Sequence, residues 1–288
     1  MTINVEKSNL TTANYAIKRI HKPTIEEFKQ ATDSFSQPVI ITGKLEEWKA
    51  FDSWSIDYLN KVIGDKELDI NVSNKNKVFT FDSETGETLS STKMKFTEFT
   101  NWLTQEKNSE QYYYLQQQSI KLVFPELLPD IEIPNYISQK SFMVANIWIG
   151  TGGNTTPLHW DAAQNILCQV RGRKRLLLFA PNQTEYLYPH SVDSKAPHLS
   201  YVNIDKPDFD KFPKFKQAQS IECVLEAGEM LFMPPFWWHQ VYSLDQLNIA
   251  VNFWWKAQLK DYFTPQARNF IVKKPLIVLA LLLQKPSP

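Results

Sequence analysis

Glycine is scarce in this chain, at eight of 288 residues, cysteine scarcer at two, and histidine numbers only five. Net formal charge is absent, with 31 basic residues balanced by 31 acidic ones. Each shortage excludes something. The two cysteines, Cys168 and Cys223, have no zinc-ribbon spacing, and each lies in an apolar run. They read as small buried thiols rather than as a disulfide. Zero net charge leaves no global field to draw the chain to nucleic acid or an anionic membrane, so any partner must be recognised locally. Long apolar runs are missing too: Pro275–Leu283 falls far short of the roughly 20 residues that span a bilayer. The first nine residues are polar and lack a signal-peptide core. The expectation is a soluble cytoplasmic protein whose C-terminal segment buries its apolar surface against itself or a partner subunit.

What the chain does have is apolar and aromatic residues, 43% and 13% of the total, enough for a substantial core. Its N-terminal third, residues 1–111, mixes helices and strands. Thr24-Ile25-Glu26-Glu27 is a capping box that opens a helix with Ile25, Phe28 and Ala31 on one side. Pro38 to Gly43 reads as a buried strand ended by a turn glycine. Ser55 caps a second helix with Tyr58, Leu59, Val62 and Ile63 as its stripe and Gly64 as its stop. Strands are expected at Leu68–Val72 and Lys77–Phe81, and a further helix at Phe96–Leu103.

From Tyr112 onward short strands alternate with turns. Met143–Ile149, Asn165–Val170, Arg175–Phe179, Glu229–Met233 and Leu247–Trp255 are separated by Gly, Pro, Asn and Asp, the pattern of a β-sandwich or jelly roll. Val170-Arg171-Gly172-Arg173 predicts a tight hairpin turn. The stretch from Tyr188 to Gln219, rich in Asp, Lys and Pro, predicts a surface excursion able to shape the mouth of a site. Residues 112–258 form the expected core domain, followed by a helical segment over 259–288.

Within that core, His159-Trp160-Asp161 places an imidazole and a carboxylate on one face of an extended backbone. A further imidazole, His239, follows in Phe236-Trp237-Trp238-His239-Gln240-Val241. Two His and one carboxylate on one side of a metal leave the opposite positions open, as non-haem Fe(II) oxygenases require. Lys174, just past the hairpin, shares a strand face with Leu176 and Leu178. If that face looks inward, the ammonium needs an anion to meet it, and a dicarboxylate would serve, with Thr156 adding a hydroxyl donor. Arg171, Arg173 and Arg175 read instead as a solvated hairpin tip. Trp237, Trp238, Trp254 and Trp255 read as core, His190 and His198 as solvated, and His21 as structural.

At these residues the chain resembles the JmjC/cupin-like Fe(II)- and 2-oxoglutarate-dependent oxygenases, and within them the asparaginyl hydroxylases. The likeness rests on Asn154–Asp161, Gln164-Asn165, Gly172–Arg175, Phe179–Gln183 and Leu187–Pro189. It continues through Asp205–Asp208, Phe212-Pro213, Gly228-Glu229, Trp237–His239 and Val251–Trp254, with Tyr114–Gln117 upstream. The resemblance implies a double-stranded β-helix with flanking helices. It implies that His159, Asp161 and His239 ligate Fe(II), and that Lys174 pairs with the distal carboxylate of 2-oxoglutarate, helped by Thr156 and Tyr114. Asn165 and Asn252 would bond near the metal. Gln116 and Gln117 either contact substrate or merely follow a strand end, and Trp254, otherwise core, is the other candidate substrate contact. The implied reaction consumes O2 and hydroxylates a protein or peptide side chain (Asn, Asp or His), releasing succinate and CO2. A small molecule or modified tRNA as substrate stays open, as does a non-oxidative metal-dependent cupin enzyme. Neutral charge speaks against nucleic acid. The family also implies a homodimer, paired through Phe270–Leu283.

Overall fold

The computed structural model describes residues 11–12, 16–73, 76–79, 90–105 and 111–263. Strands β1 (Thr11–Thr12), β2 (Lys18–His21), β3 (Val39–Thr42), β4 (Glu67–Ser73) and β5 (Ser90–Lys95) come from the N-terminal third. They are interleaved with helices α1 (Ile25–Ala31), α2 (Lys49–Ser53), α3 (Ile56–Ile63) and α4 (Phe96–Gln105). Then follow β6 (Tyr112–Ser119), β7 (Phe142–Gly150), β8 (Thr155–Trp160), β9 (Gln164–Arg171) and β10 (Lys174–Phe179). The last strands are β11 (Gln219–Leu225), β12 (Met230–Met233), β13 (Trp238–Ser243) and β14 (Asn248–Trp255).

These strands form two sheets. The smaller runs β1-β11-β10-β13-β8 and the larger β2-β3-β12-β9-β14-β7-β6-β4-β5. From β7 to β14 the chain passes back and forth between the sheets in the jelly-roll manner, except that β10 and β11 are consecutive neighbours in the smaller one, and the pairing is antiparallel throughout. The expected double-stranded β-helix is the observed fold. The N-terminal strands do more than flank it, because they extend the larger sheet at both ends.

Three apolar clusters hold the layers together. Leu167, Leu176, Leu178, Leu231 and Met233 fill the space between the sheets. Helical and 3-10 segments cover the outer face of the larger sheet, bringing Phe28, Trp48, Trp54 and Leu59 against Ile147, Cys168 and Phe253. Asp130 fastens this layer, accepting from Trp54 Nε1 at 2.9 Å, Tyr58 Oη at 2.7 Å and Lys49 Nζ at 2.6 Å. The residues from Leu187 onward cover the smaller sheet, with Val202, Ile204, Phe212 and Phe215 packed on Leu177, Phe179 and Trp238. This corrects the reading of 188–219 as a surface excursion. Its apolar residues form a lid over the sheet, and its charged ones face solvent. With both faces covered, all six residues of β10 are buried, as expected for a strand between two packed layers.

The capping box at Thr24 and Glu27 is present, yet Ile25 is 45% exposed and only Phe28 of that helix is buried. Ser55 caps α3 by accepting from Tyr58 N. Gly64 ends it in right-handed backbone rather than the left-handed turn that glycine permits. Lys77–Phe79 contributes only an isolated bridge, Val78 to Thr155, and the rest of that expected strand lies outside the described residues. So does the Phe270–Leu283 segment expected to pair two copies. Both cysteines are free and buried. Among the described residues, no helix is long and apolar enough to cross a membrane.

The β9–β10 hairpin turns at Gly172, whose φ is +68, and a Cβ there would stand 2.2 Å from the carbonyl oxygen of Leu247. Gly172→Ala therefore combines left-handed strain with a backbone clash. A loss of about 2 kcal/mol or more is expected, lowering the melting temperature by roughly 4–8 °C for a chain of this size. Thermal unfolding followed by circular dichroism checks this, and an unchanged transition would contradict it.

Candidate metal and ligand site

Strands β8 and β13 pair antiparallel with His159 opposite His239 and Trp160 opposite Trp238. The two imidazoles therefore share the inner face, and the two indoles share the outer one. His159 Nδ1 bonds the carbonyl oxygen of Pro157 at 2.7 Å, and His239 Nδ1 bonds that of Trp237 at 3.0 Å. A carbonyl only accepts, so each Nδ1 donates, and each Nε2 keeps its lone pair free. Asp161 follows directly after β8, and its backbone oxygen accepts from Phe236 N at 2.7 Å. Its Oδ2 lies 3.8 Å from His239 Nε2. One ligand atom from each of the three residues falls within 4.8 Å of the others.

Burial, aided by the neighbouring His239, pulls the His159 pKa down to about 3. Burial likewise pulls His239 down to about 4. Both rings are thus neutral near pH 7, the form a metal ion needs. Two neutral imidazoles and a carboxylate, gathered on one wall of an open cavity, suit a divalent metal that keeps further positions for exogenous ligands.

That cavity, of about 320 Å³, is lined by every residue expected at the site. These are His159, Asp161, His239, Lys174, Thr156, Tyr114, Asn165, Asn252, Gln116 and Trp254. Lys174, only 3% exposed, opens β10 on the inner face. Its Nζ donates to Ser243 Oγ at 3.0 Å and lies 3.3 Å from Tyr114 Oη. Among the described residues no carboxylate pairs with it, and burial lowers its pKa to about 8. Burial raises the Tyr114 phenol, which stays protonated. Across the cavity, Trp148 Nε1 donates to Asn252 Oδ1 at 2.7 Å, and Asn252 Nδ2 donates to Asn165 Oδ1 at 3.3 Å.

Ser243, Trp148, Asn71 and His198 were not foreseen among the side chains of the site. Asn71 lies on a strand far in sequence from the motifs, whereas Trp148 and Ser243 lie close to them. Alternation along β13 could have indicated Ser243, which shares a face with His239 four residues before it; the register irregularity in this pair puts the extra residue on β8, between Thr156 and His159. The fourth, His198, was read as solvated, but it is only partly exposed and lines the cavity. It arrives there because the excursion continues the smaller sheet past β8, with Trp160 N donating to His198 O and Ser200 N to Leu158 O. His190 is likewise buried, stacked on Tyr201 with ring centroids 3.9 Å apart.

The arginines are not a solvated tip either. Arg175 is buried and forks onto Glu222 at 2.7 and 3.2 Å, while Arg173 forks onto Asp245 at 2.9 Å through both bonds. Arg171 donates to the carbonyl of Trp54. Each has its partner outside the cavity, as the inward/outward alternation about Lys174 requires. Trp237, Trp238 and Trp255 are core, whereas Trp254 is partly exposed at the cavity wall. His21 bonds Thr42 Oγ1 at 3.1 Å, far from the site.

Known proteins share this sequence over most of its length. It is 35% identical over 246 residues to a Xenopus tropicalis protein called lysine-specific demethylase 8, covering 83% of this chain and 53% of that one. The Danio rerio protein of the same name is 37% identical over 246 residues, covering 83% and 58%. A human protein called tRNA wybutosine-synthesizing protein 5 is 31% identical over 255 residues, covering 83% and 78%. This chain thus spans little more than half the length of the demethylase relatives. The particular likeness to asparaginyl hydroxylases rests on the sequence motifs alone. A family model described as a cupin-like domain matches residues 25–261, taking in both sheets and the His159, Asp161 and His239 cluster, and the chain belongs to that family.

Proposed function

We propose that this chain is an Fe(II)- and 2-oxoglutarate-dependent dioxygenase that hydroxylates a protein or peptide side chain of the Asn, Asp or His type. The observation that carries the reading is Lys174. A buried ammonium without a carboxylate partner among the described residues shares one cavity with a two-histidine, one-carboxylate cluster. Burying an unpaired charge is costly, and an exogenous dicarboxylate would offset that cost. In this reading His159, Asp161 and His239 hold iron, and Lys174 meets the far carboxylate of 2-oxoglutarate. When bound, iron and 2-oxoglutarate supply oxidative decarboxylation by O2, giving succinate, CO2 and an oxidant able to attack an unactivated C–H bond.

The chain's own part is binding, orientation and exclusion of water. Pro157 and Trp237 carbonyls hold both imidazoles in the ligating tautomer. Ser243 and Tyr114 aim the ammonium, and Thr156 offers a further hydroxyl in the same cavity. Asn252, fixed by Trp148, and Asn165 would offer their amides to hydrogen-bond near the metal site. Trp148, Trp254 and Leu167 keep the walls apolar, which shields a reactive oxidant from solvent. Neither a nucleophile nor a protein general base is required. The free, buried cysteines accord with a cytoplasmic setting.

A relative named for tRNA wybutosine synthesis makes modified tRNA the second reading. Zero net charge disfavours it, because phosphate contacts normally demand a basic surface. A non-oxidative cupin enzyme would use the three ligands but would have no need of Lys174.

Three outcomes are expected. Enzyme loaded anaerobically with Fe(II) and 2-oxoglutarate, then given O2 and lysate peptides, should release succinate and add one oxygen to a peptide. His159→Ala should abolish both, as read by mass spectrometry. Lys174→Ala should weaken 2-oxoglutarate binding about 100-fold or more, the scale for removing one partner of a buried ion pair; unchanged affinity in a calorimetric titration would favour the non-oxidative enzyme. The third concerns pH. Lys174 titrates near 8 in the free protein, and the dicarboxylate favours its charged form. Binding above about pH 8 must therefore take up a proton, and affinity should fall toward ten-fold per pH unit while staying flat below. A dissociation constant that is level from about pH 7 to about pH 9.5 would refute this.

A further inference from the structure

Three residues that line the cavity form a row across the larger sheet. Met233 stands opposite Asn165 in the β12–β9 pair, and Trp254 stands opposite the same Asn165 in the β14–β9 pair. Short connections put this row at the metal end. Only Ala162 and Ala163 separate Asp161 from the start of β9, and β12 ends at Met233, just before the turn that opens β13 and leads to His239. Lys174 lies at the other end, opposite Ser243 where β13 finishes.

Met233 brings sulfur into this row. The chain holds five methionines, and among the described residues Met233 alone of them lines the metal cavity. Met230, three residues earlier on β12, packs on the outer face of the sheet, as alternation requires. A thioether in a core is often no more than a flexible filler, and Met233 does pack in the cluster between the sheets. Its sulfur also accepts an oxygen atom readily, giving a sulfoxide with no C–H bond to cleave. That sets it apart from the aliphatic side chains around it.

Burial decides which oxidant reaches that sulfur. Met233 is 3% exposed, whereas Met94 and Met143 are partly exposed. An oxidant arriving from bulk solvent meets Met94 and Met143 first. An oxidant generated at the His159, Asp161 and His239 cluster meets Met233 first, because cluster and sulfur share one cavity. The two origins therefore leave opposite patterns of damage.

We propose that Met233 is a self-modification site, converted to the sulfoxide by the chain's own oxidant when 2-oxoglutarate and O2 are consumed with no substrate in place. This rests on the oxygenase reading above. The step balances without another reactant. The O–O bond breaks, one oxygen atom bonds to sulfur, and the other enters the new carboxylate of succinate as the bond to the departing CO2 breaks. Two of the four electrons that O2 accepts come from 2-oxoglutarate and two from the sulfur lone pair, and no proton moves. A sulfoxide is larger and more polar than a thioether. In a cavity of about 320 Å³ it takes room beside Asn165 and changes the polarity of the wall, so molecules that turn over unproductively are retired.

The test has a binding arm and a reaction arm. In the first, the methionine methyl groups carry an isotope label for nuclear magnetic resonance, and Met233→Leu, a nearly volume-conserving change, assigns the Met233 signal. Loaded anaerobically with 2-oxoglutarate and Mn(II), wild-type protein should lose that signal to paramagnetic relaxation, whereas Zn(II) should leave it. Met94, on the edge strand β5, should keep its signal with either metal. In the second arm, Fe(II) enzyme receives 2-oxoglutarate and isotope-labelled O2 without peptide, and fragments are read by mass spectrometry. One labelled oxygen should appear at Met233 about 100-fold or more faster than at Met94, a modest share of the advantage of an intramolecular reaction. Hydrogen peroxide added to metal-free protein should reverse that order. Labelled oxygen on Trp254 with Met233 intact would overturn the inference, as would peroxide attacking Met233 first or a Met233 signal untouched by Mn(II). Succinate released with no oxygen gained would overturn it and leave the oxygenase reading standing. Failure of wild-type protein to bind 2-oxoglutarate would strike that reading, and the inference with it.

Discussion

The pairing of β8 with β13 is the constraint on which the site depends. In that register His239 lies opposite His159 on the inner face, while Trp160 and Trp238 lie opposite each other on the outer face. A slip of one residue would exchange the faces, sending imidazoles into an apolar cluster and indoles into the cavity. Both indoles are buried beneath the lid formed by the residues after Leu187, so the slipped register would forfeit their packing. The ligand geometry is thus held from the back of the sheet. Tyr242 on that back face donates to Asp205 of the lid at 2.6 Å, and the ring of Tyr242 carries the Arg175 guanidinium 5.2 Å from its centroid.

The same lid explains how the edge of the smaller sheet is managed. β8 is the last named strand on that side, and an open edge there would expose unpaired backbone groups beside the metal cluster. Hydrogen bonds from Trp160 N to His198 O and from Ser200 N to Leu158 O close it. One consequence is that His198 and Leu199 become part of the cavity wall. Covering the outer face and closing the edge are accomplished by one connection.

Electrostatically the cavity is divided. One end gathers two imidazoles and a carboxylate. Another holds Lys174 among hydroxyls, Ser243 and Tyr114, which donate and accept but cannot neutralise it. Between them the Asn252–Asn165 contact and the amide pair of Asn71 and Gln116 supply directional bonds without charge. Charge therefore sits where the cosubstrate and metal would bring the opposite charge, and the neutral amides add direction without charge.

Much of this was legible in the residues themselves. The strand runs after Tyr112, the turn at Gly172 and the inward set of Lys174, Leu176 and Leu178 follow from period-two alternation, which depends only on local backbone geometry. The His159, Asp161 and His239 set was visible as a sparse pattern, and the family motifs around it made it specific. What the sequence could not decide were the partners of charged side chains and the destination of the long connection. Arg173, Lys174 and Arg175 are consecutive and similar, yet they are received by Asp245 in the β13–β14 turn, Ser243 on β13 and Glu222 on β11. The bulge that brings both Gln116 and the exposed Gln117 to the edge of the cavity comes from the shifted register with β7, and β4 brings Asn71 to it. Those outcomes rest on contacts between residues dozens of positions apart. They exist only once both sheets have closed around a common interior, so tertiary structure decided them.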